Sequence, residues 1–125
     1  KEFPGVIGDS ISFHADYVKK NPQAVQAFVN AMKDAMEYWH AHQDESNKIM
    51  AAGLGITFEE FVETLEGLKL MDYEDNLAFF GTEASGPLYA TLQKATDFYH
   101  DLKIIPAKQD VKNLVAEEFL MNAAE

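Results

Sequence analysis

The sequence predicts a mostly α-helical chain that begins with one extended segment. Apolar residues recur every three or four positions along most of the 125 residues, and good capping residues precede several of these runs. Residues 11–15 alternate between apolar and polar instead. Hydrophobic residues make up 47% of the chain, which favours a packed core over intrinsic disorder. The length is that of one domain.

The first predicted element is an extended stretch over residues 3–15. Val6 and Ile7 are apolar, and Ile11, Phe13 and Ala15 then alternate with polar residues. A period of two is typical of a strand with one buried face. The sequence therefore predicts a strand within residues 1–15.

A long helix is the clearest element of the chain. Asp16–Lys20 is predicted as a helical turn, after which Asn21 is a good N-cap and Pro22 suits a first helical position. The helix is predicted to run to about His42. Its apolar stripe has three- and four-residue steps and consists of Val25, Phe28, Val29, Met32, Met36 and Trp39.

Two shorter helices are predicted next. The first runs from about Asp44 to Ala52 and is expected to stop at Gly53 as a left-handed cap. Thr57 and Glu60 have the spacing of a capping box, which predicts a helix start. This helix is expected to end at Gly67.

The C-terminal part alternates helical and irregular segments. The secondary structure of residues 71–80 is ambiguous, because several acidic residues lie close together before an apolar run. The remaining predictions are an extended piece at 68–70, a loop at 81–86, a helix from Pro87 to about Leu102, a break at 104–106, a short turn capped by Asp110, and a last helix over 116–124.

Composition excludes several classes of function. The chain has 21 acidic residues against 10 basic ones, all lysines, and a formal charge of −11. Such a surface repels phosphate backbones, which argues against nucleic-acid binding and anionic membranes. No cysteine is present, so disulfides and thiolate catalysis are excluded. The N-terminus carries neither an initiating Met nor a signal peptide, and we expect it to be an internal boundary of a longer protein.

No motif predicts catalysis, a metal site or a cofactor. His40 and His42 lie two residues apart, which on a helix directs their rings to different faces, so both are expected to be surface histidines. Asp72, Glu74 and Asp75 lack the pattern of a calcium loop and are expected to form a solvated, helix-capping turn. The segment Gly8-Asp9-Ser10 lacks the second glycine of a nucleophile elbow.

The order of these signals resembles a known family. A stretch GVIGDSISF leads into DYVKKNPQAVQAF, and DESNKIMAAGLGITFEEF follows the long helix. The chain closes with NLAFFG and LYATLQKATDFYHDLKIIP. From about Val6 to Phe119 the sequence resembles the C-terminal part of an ABC-transporter substrate-binding protein of the nitrate/sulfonate/taurine type, a group that includes binders of thiamine precursors.

The resemblance implies the C-terminal portion of a two-lobe α/β type II periplasmic-binding fold. Residues 1–15 would form a crossover strand, and residues 16–125 would form helices that pack on the lobes. The implied function is an extracytoplasmic, periplasmic or extracellular membrane-associated binder of a small solute such as a sulfonate, nitrate or pyrimidine. It would be no enzyme and need no cofactor, and its partners would be the solute and the transmembrane permease. Position alone suggests six ligand-binding residues, which are Asp9, Ser10, Phe13, Tyr73, Asn76 and Phe80.

Two other functions stay open from the sequence. One is a freestanding helical protein-interaction domain that binds through exposed aromatic or methionine side chains. The other is an enzyme of the thiamine-pyrimidine synthesis type, which shares the fold by resemblance. A piece of a two-lobe protein is also expected to expose its former interface and to self-associate.

Overall fold

The helices follow one another along the chain with short connections. A computed structural model describes residues 8–124, and within that range the regular structure is helical. Seven α-helices are α1 (Ala15–Lys20), α2 (Pro22–Ala41), α3 (Gln43–Leu54), α4 (Phe58–Leu65), α5 (Tyr73–Phe80), α6 (Pro87–Asp101) and α7 (Glu117–Met121). Two 3₁₀ turns span Val111–Leu114 and Asn122–Ala124. No helix in the described range is long and apolar enough to cross a bilayer.

The predicted strand does not form in the part of residues 1–15 that the structure describes. Residues 8–14 belong to no sheet, because a strand needs a partner and residues 8–124 contain none. His14 instead caps α1 by accepting a hydrogen bond from the Asp16 amide. Val6 and Ile7 lie outside the described residues, and a crossover role for this segment stays a prediction.

Helix α2 begins where the sequence predicts, although the capping residue acts differently. Pro22 occupies the first turn of α2. The Asn21 side chain, however, makes no capping bond to α2, and its amide donates to the Tyr17 carbonyl at 3.3 Å. Asn21 therefore closes the end of α1 and joins it to α2.

Helix α3 ends two residues later than predicted. Gly53 remains helical, and Gly55 is the left-handed residue, with φ of 72°. The Gly55 amide donates to the Ala52 carbonyl at 3.2 Å, and the Ile56 amide donates to the Ala51 carbonyl at 3.1 Å. These two bonds form a Schellman motif, in which the left-handed residue is usually glycine.

Side-chain caps fix the starts of the later elements. The Thr57 hydroxyl accepts from the Glu60 amide at 3.2 Å, and the Glu60 carboxylate accepts from the Thr57 amide at 2.8 Å, which confirms the capping box. Asp72 accepts from the Asp75 amide at 2.8 Å and begins α5, so the ambiguous segment is helical. Asp110 caps the first 3₁₀ turn, as predicted.

The connection between α5 and α6 is a tight loop. The Gly86 amide donates to the Phe80 carbonyl at 3.1 Å, which closes the loop 81–86. A Cβ at Gly86 would collide with that carbonyl. Gly81 has φ of 67°, a conformation that favours glycine. The two glycines therefore permit the close turn between these helices.

Helix α7 is attached to three other helices by polar side chains. Gln26 of α2 donates to the Phe119 carbonyl at 2.9 Å, and Tyr73 of α5 donates to the Leu120 carbonyl at 3.3 Å. The Tyr89 hydroxyl of α6 donates to a Glu117 carboxylate oxygen at 2.7 Å. The buried hydrophobic residues around these contacts and along the chain are Val25, Ala51, Phe61, Tyr89, Val111, Phe119 and Ala123.

Much apolar surface remains uncovered. The predicted stripe of α2 is only partly buried, because Val25 is enclosed whereas Phe28 is 37% and Met32 41% exposed. The accessible surface of the chain is 9588 Å². A globular monomer of this mass exposes about 6,700 Å², so the excess is about 2,900 Å². The eight residues outside the described range, 1–7 and 125, can contribute at most about 1,300 Å² to this excess. That figure is the whole accessible surface of eight residues in an unfolded chain.

Candidate functional site

The site that best combines walls from separate parts of the chain is a groove between α2 and the start of α5. We call it the α2–α5 groove. Its volume is about 320 Å³, in the range of small-molecule sites. Its lining consists of Lys33, Met36, Glu37, His40, Asp72, Tyr73 and Glu74.

Helix periodicity places the α2 side of the groove. Positions 33, 36, 37 and 40 are three or four residues apart, so their side chains share one face. On the α5 side, the Asp75 amide donates to the Asp72 carboxylate, and this cap fixes the first turn of α5. His40 Nε2 lies 3.5 Å from Asp72 Oδ2, and this contact joins the two walls.

An aromatic ring and an ammonium group meet in the groove. The hydroxyl of Tyr73 is held by the Leu120 carbonyl, which fixes the orientation of the ring. Lys33 Nζ lies 5.3 Å from the centre of that ring, within range of a cation–π interaction. The same ammonium is 3.8 Å from a Glu37 carboxylate oxygen. The groove therefore offers a flat apolar face with charged groups of both signs beside it.

One member of the predicted acidic cluster faces away from the groove. Asp75 Oδ1 lies 2.6 Å from Lys69 Nζ, and this hydrogen bond lowers the pKa of Asp75. Glu37, Asp72 and Glu74 remain as the carboxylates of the groove. Within residues 8–124 no group of three or more potential ligands is arranged to hold a metal ion. The lining of the groove offers a ring face, hydrogen-bonding groups and charges with which a small molecule could be oriented.

Of the six predicted ligand residues, only Tyr73 lines the groove. Asp9 and Ser10 are exposed in the segment before α1. Phe13 stacks on Tyr17 at 6.2 Å between ring centres and meets Phe28 edge-on at 5.3 Å. No hydrogen bond or ring contact among the described residues connects these three predicted residues with α5.

The other two predicted residues on α5 have structural contacts. Asn76 donates to the Asp72 carbonyl at 2.7 Å and to the Met71 carbonyl at 3.2 Å, so its amide secures the turn that enters α5. Phe80 is half-buried, and its carbonyl closes the loop to Gly86. Ligand binding by these residues stays a prediction.

Sequence reasoning missed the α2 wall of the groove. His40 was expected on the surface, and it is partly exposed, but it also contacts Asp72 across the groove. The spacing of Lys33, Glu37 and His40 was a readable sign of a common polar face. The sequence did not indicate which segment packs against that face, because α5 begins more than thirty residues later.

A second cavity lies at the end of α6. Its volume is about 380 Å³, and its lining is His100, Asp101, Lys103, Ile105 and Pro106. All of these residues come from one continuous stretch of seven positions, so no second element forms a wall. It is a crevice of the turn that follows α6, and we do not assign it a ligand.

Comparison with known proteins gives one match. The family model described as NMT1/THI5 like matches residues 4–46, about a third of the chain. No curated protein and no solved structure matches the chain. The family consists mostly of binding proteins, although THI5 members can be biosynthetic. The matched range includes the α2 wall of the groove and excludes α5. It supports the substrate-binding family at a coarse level and indicates no subfamily.

Proposed function

We propose that this chain is part of the extracytoplasmic solute-binding component of an ABC importer. The observation that carries the proposal is the match of residues 4–46 to a family of mostly binding proteins. The uncovered apolar surface agrees with it, since a lobe-forming segment must pack against the rest of its protein. The component would deliver a small solute to a transmembrane permease.

The surface for the rest of the protein would include the end of α6 and the turn after it. Phe98, Leu102 and Ile104 are each more than half exposed there. Contiguous apolar side chains of this kind are rare on the surface of a monomer and indicate an interface. A second α/β half placed on them would remove this area from water and form a two-lobe protein.

The α2–α5 groove would supply one side of the ligand site. The Tyr73 ring offers a stacking face, while His40 and the carboxylates offer hydrogen bonds. Contacts from a second lobe would favour the closed arrangement through higher affinity for the ligand in that state. The groove has no nucleophile beside a base in hydrogen-bond range, so we propose binding without covalent change.

The exposed apolar side chains also favour a second candidate, a freestanding helical protein-interaction domain. The two functions differ in what the groove must do. A solute binder needs the groove, whereas an interaction domain needs only its apolar surface. The biosynthetic THI5 members keep an enzyme of the thiamine-pyrimidine type as a further alternative for the whole protein.

A thermal-shift screen tests the proposed function. The complete solute-binding protein, of which this chain would be one part, is melted with sulfonates, nitrate, pyrimidines and aromatic acids, and a bound solute raises its melting temperature by mass action. At a solute concentration one hundred times the dissociation constant, the free energy of unfolding rises by about 2.7 kcal/mol. Glu74→Gln in the groove should reduce the shift, whereas Glu63→Gln, an exposed glutamate of α4, should leave it unchanged. The proposal fails if no solute shifts the melting temperature, or if both variants respond alike.

A further inference from the structure

Helix α2 carries a second apolar face, which is exposed within the described part of the chain. We call it the α2 outer stripe, and it consists of Ala24, Phe28, Ala31, Met32, Ala35 and Tyr38. All six residues are exposed, and Tyr38 reaches 47%. Positions 24, 28, 31, 35 and 38 alternate steps of four and three residues. This is the spacing of a helix that packs along its length against another helix.

The opposite face of α2 is already occupied. Val25 is buried, and Gln26 holds α7 through the Phe119 carbonyl. Lys33 and Met36 line the α2–α5 groove. The outer stripe has neighbours at two places among the described residues: Phe13 meets Phe28 edge-on, and the Tyr38 ring lies 4.4 Å from the His42 ring. Between these two places Ala31, Met32 and Ala35 are exposed.

When two copies of the stripe run antiparallel, large side chains of one helix lie beside small side chains of the other. With the two-fold axis at Ala31, Tyr38 of one helix lies opposite Ala24 of the other. Phe28 then lies level with Asp34 of the other helix, between its Ala31 and Ala35. The Tyr38 ring therefore faces a small side chain and the Phe28 ring lies beside two, so two helices of 20 residues, about 30 Å long, can approach closely. A parallel pair would instead place ring against ring and alanine against alanine.

Charges at the two ends of α2 favour the same arrangement. Lys19 and Lys20 precede its first turn, and Asp44 and Glu45 follow its last. The Tyr38 hydroxyl donates to the Glu45 carboxylate at 3.2 Å, which places that negative charge at the end of the stripe. Antiparallel copies bring the lysines of one chain to the carboxylates of the other. A parallel pair would bring like charges together.

The composition of the stripe suits contact with a second copy. The stripe itself carries no charged side chain, so two copies with a formal charge of −11 each can meet there without burying like charges.

We infer that the α2 outer stripe binds a second copy of this chain, as an antiparallel pair of α2 helices about a two-fold axis at Ala31. The pairing goes beyond the proposed solute binding and leaves the α2–α5 groove open, because the groove lies on the other face of α2. It also leaves the apolar end of α6 free for another partner.

Single cysteines test the geometry cleanly, because the chain contains none of its own. Cysteine in Ala31→Cys lies at the axis, so mild oxidation should link two copies, since a disulfide needs Cα atoms about 4.4–6.8 Å apart. Ala24→Cys is the matched control. Its two copies would lie about 21 Å apart along the axis, seven residues on either side, and should not be linked.

Sedimentation of the 125-residue chain gives an independent readout. Wild type should sediment as a dimer, and Ala31→Glu should raise its dissociation constant at least about tenfold by facing two carboxylates across the axis. Leu114→Glu, at an exposed site away from α2, should leave the dimer intact. The inference is overturned if wild type is a monomer, if Ala24→Cys is linked as readily as Ala31→Cys, or if only Leu114→Glu dissociates the dimer.

Discussion

The hydroxyl of Tyr89 makes the most buried polar attachment of helix α7. Tyr89 is only 6% exposed, and its hydroxyl donates to the Glu117 carboxylate at 2.7 Å. A hydrogen bond to a charged group contributes about 1.5–3 kcal/mol. Because Glu117 is half-exposed and can regain water, we expect Tyr89→Phe to lower the free energy of unfolding by the smaller figure, about 1.5 kcal/mol.

The melting temperature should fall accordingly. A chain of 125 residues unfolds with an entropy of about 0.26 kcal/mol/K, so the loss corresponds to about 6 °C. Urea unfolding and thermal melts followed by circular dichroism measure both quantities. Tyr99→Phe is the control, because its ring is 46% exposed, and it should change the free energy of unfolding by less than about 0.5 kcal/mol.

The effect of Tyr89→Phe should also depend on pH. Burial, together with the hydrogen bond to Glu117, raises the pKa of Tyr89 from 10.0 to about 12. The folded state therefore holds this proton more tightly than the unfolded state. Its stabilising contribution is complete below pH 10 and is lost as the pH rises towards the folded pKa, by about 1.4 kcal/mol at pH 11. The wild type should thus lose most of its advantage over Tyr89→Phe by pH 11. An equal stability of the two proteins at pH 8, or a difference that does not narrow, would refute this reasoning.

Two further substitutions test the local structure. Thr57→Ala removes the capping box and should lower the free energy of unfolding by about 1 kcal/mol in urea titrations, and Thr57→Ser should restore it. Asn47→Ala removes the acceptor that lies 2.8 Å from the Trp39 indole nitrogen. It should cost about 1–2 kcal/mol and shift the emission of Trp39, the sole tryptophan, while an unchanged spectrum would show that the indole has another partner.

Helix starts and stops were largely readable because their causes are local. The capping boxes and turns involve residues two to four positions apart, as at Thr57 and Asp110, and the structure confirms both. The end of α3 was misplaced by two residues. Gly53 and Gly55 could each adopt a left-handed conformation, and each is followed by an apolar residue with a backbone amide to donate, so the local sequence did not distinguish between them.

The candidate site was only partly readable. Tyr73 was predicted and does line the groove, whereas Asn76 is used to secure a turn. The residues on α2 were missed because their relation to α5 is a matter of packing. A pattern of spacing shows which side chains share a face, and it does not show which face another helix will cover.

The sequence by itself determined the helical class, most helix limits, the acidic charge and the absence of cysteine chemistry, because each depends on composition or on neighbours within one turn. Only the tertiary structure decided which face of α2 is buried and that His40 contacts Asp72. It also decided that α7 is held by hydrogen bonds from three side chains, one each on α2, α5 and α6. The reason is that backbone preferences act over a few residues, whereas the free energy of burial depends on contacts between segments distant in sequence. Val25 and Phe28 belong to one predicted apolar stripe, yet Val25 is buried and Phe28 is exposed.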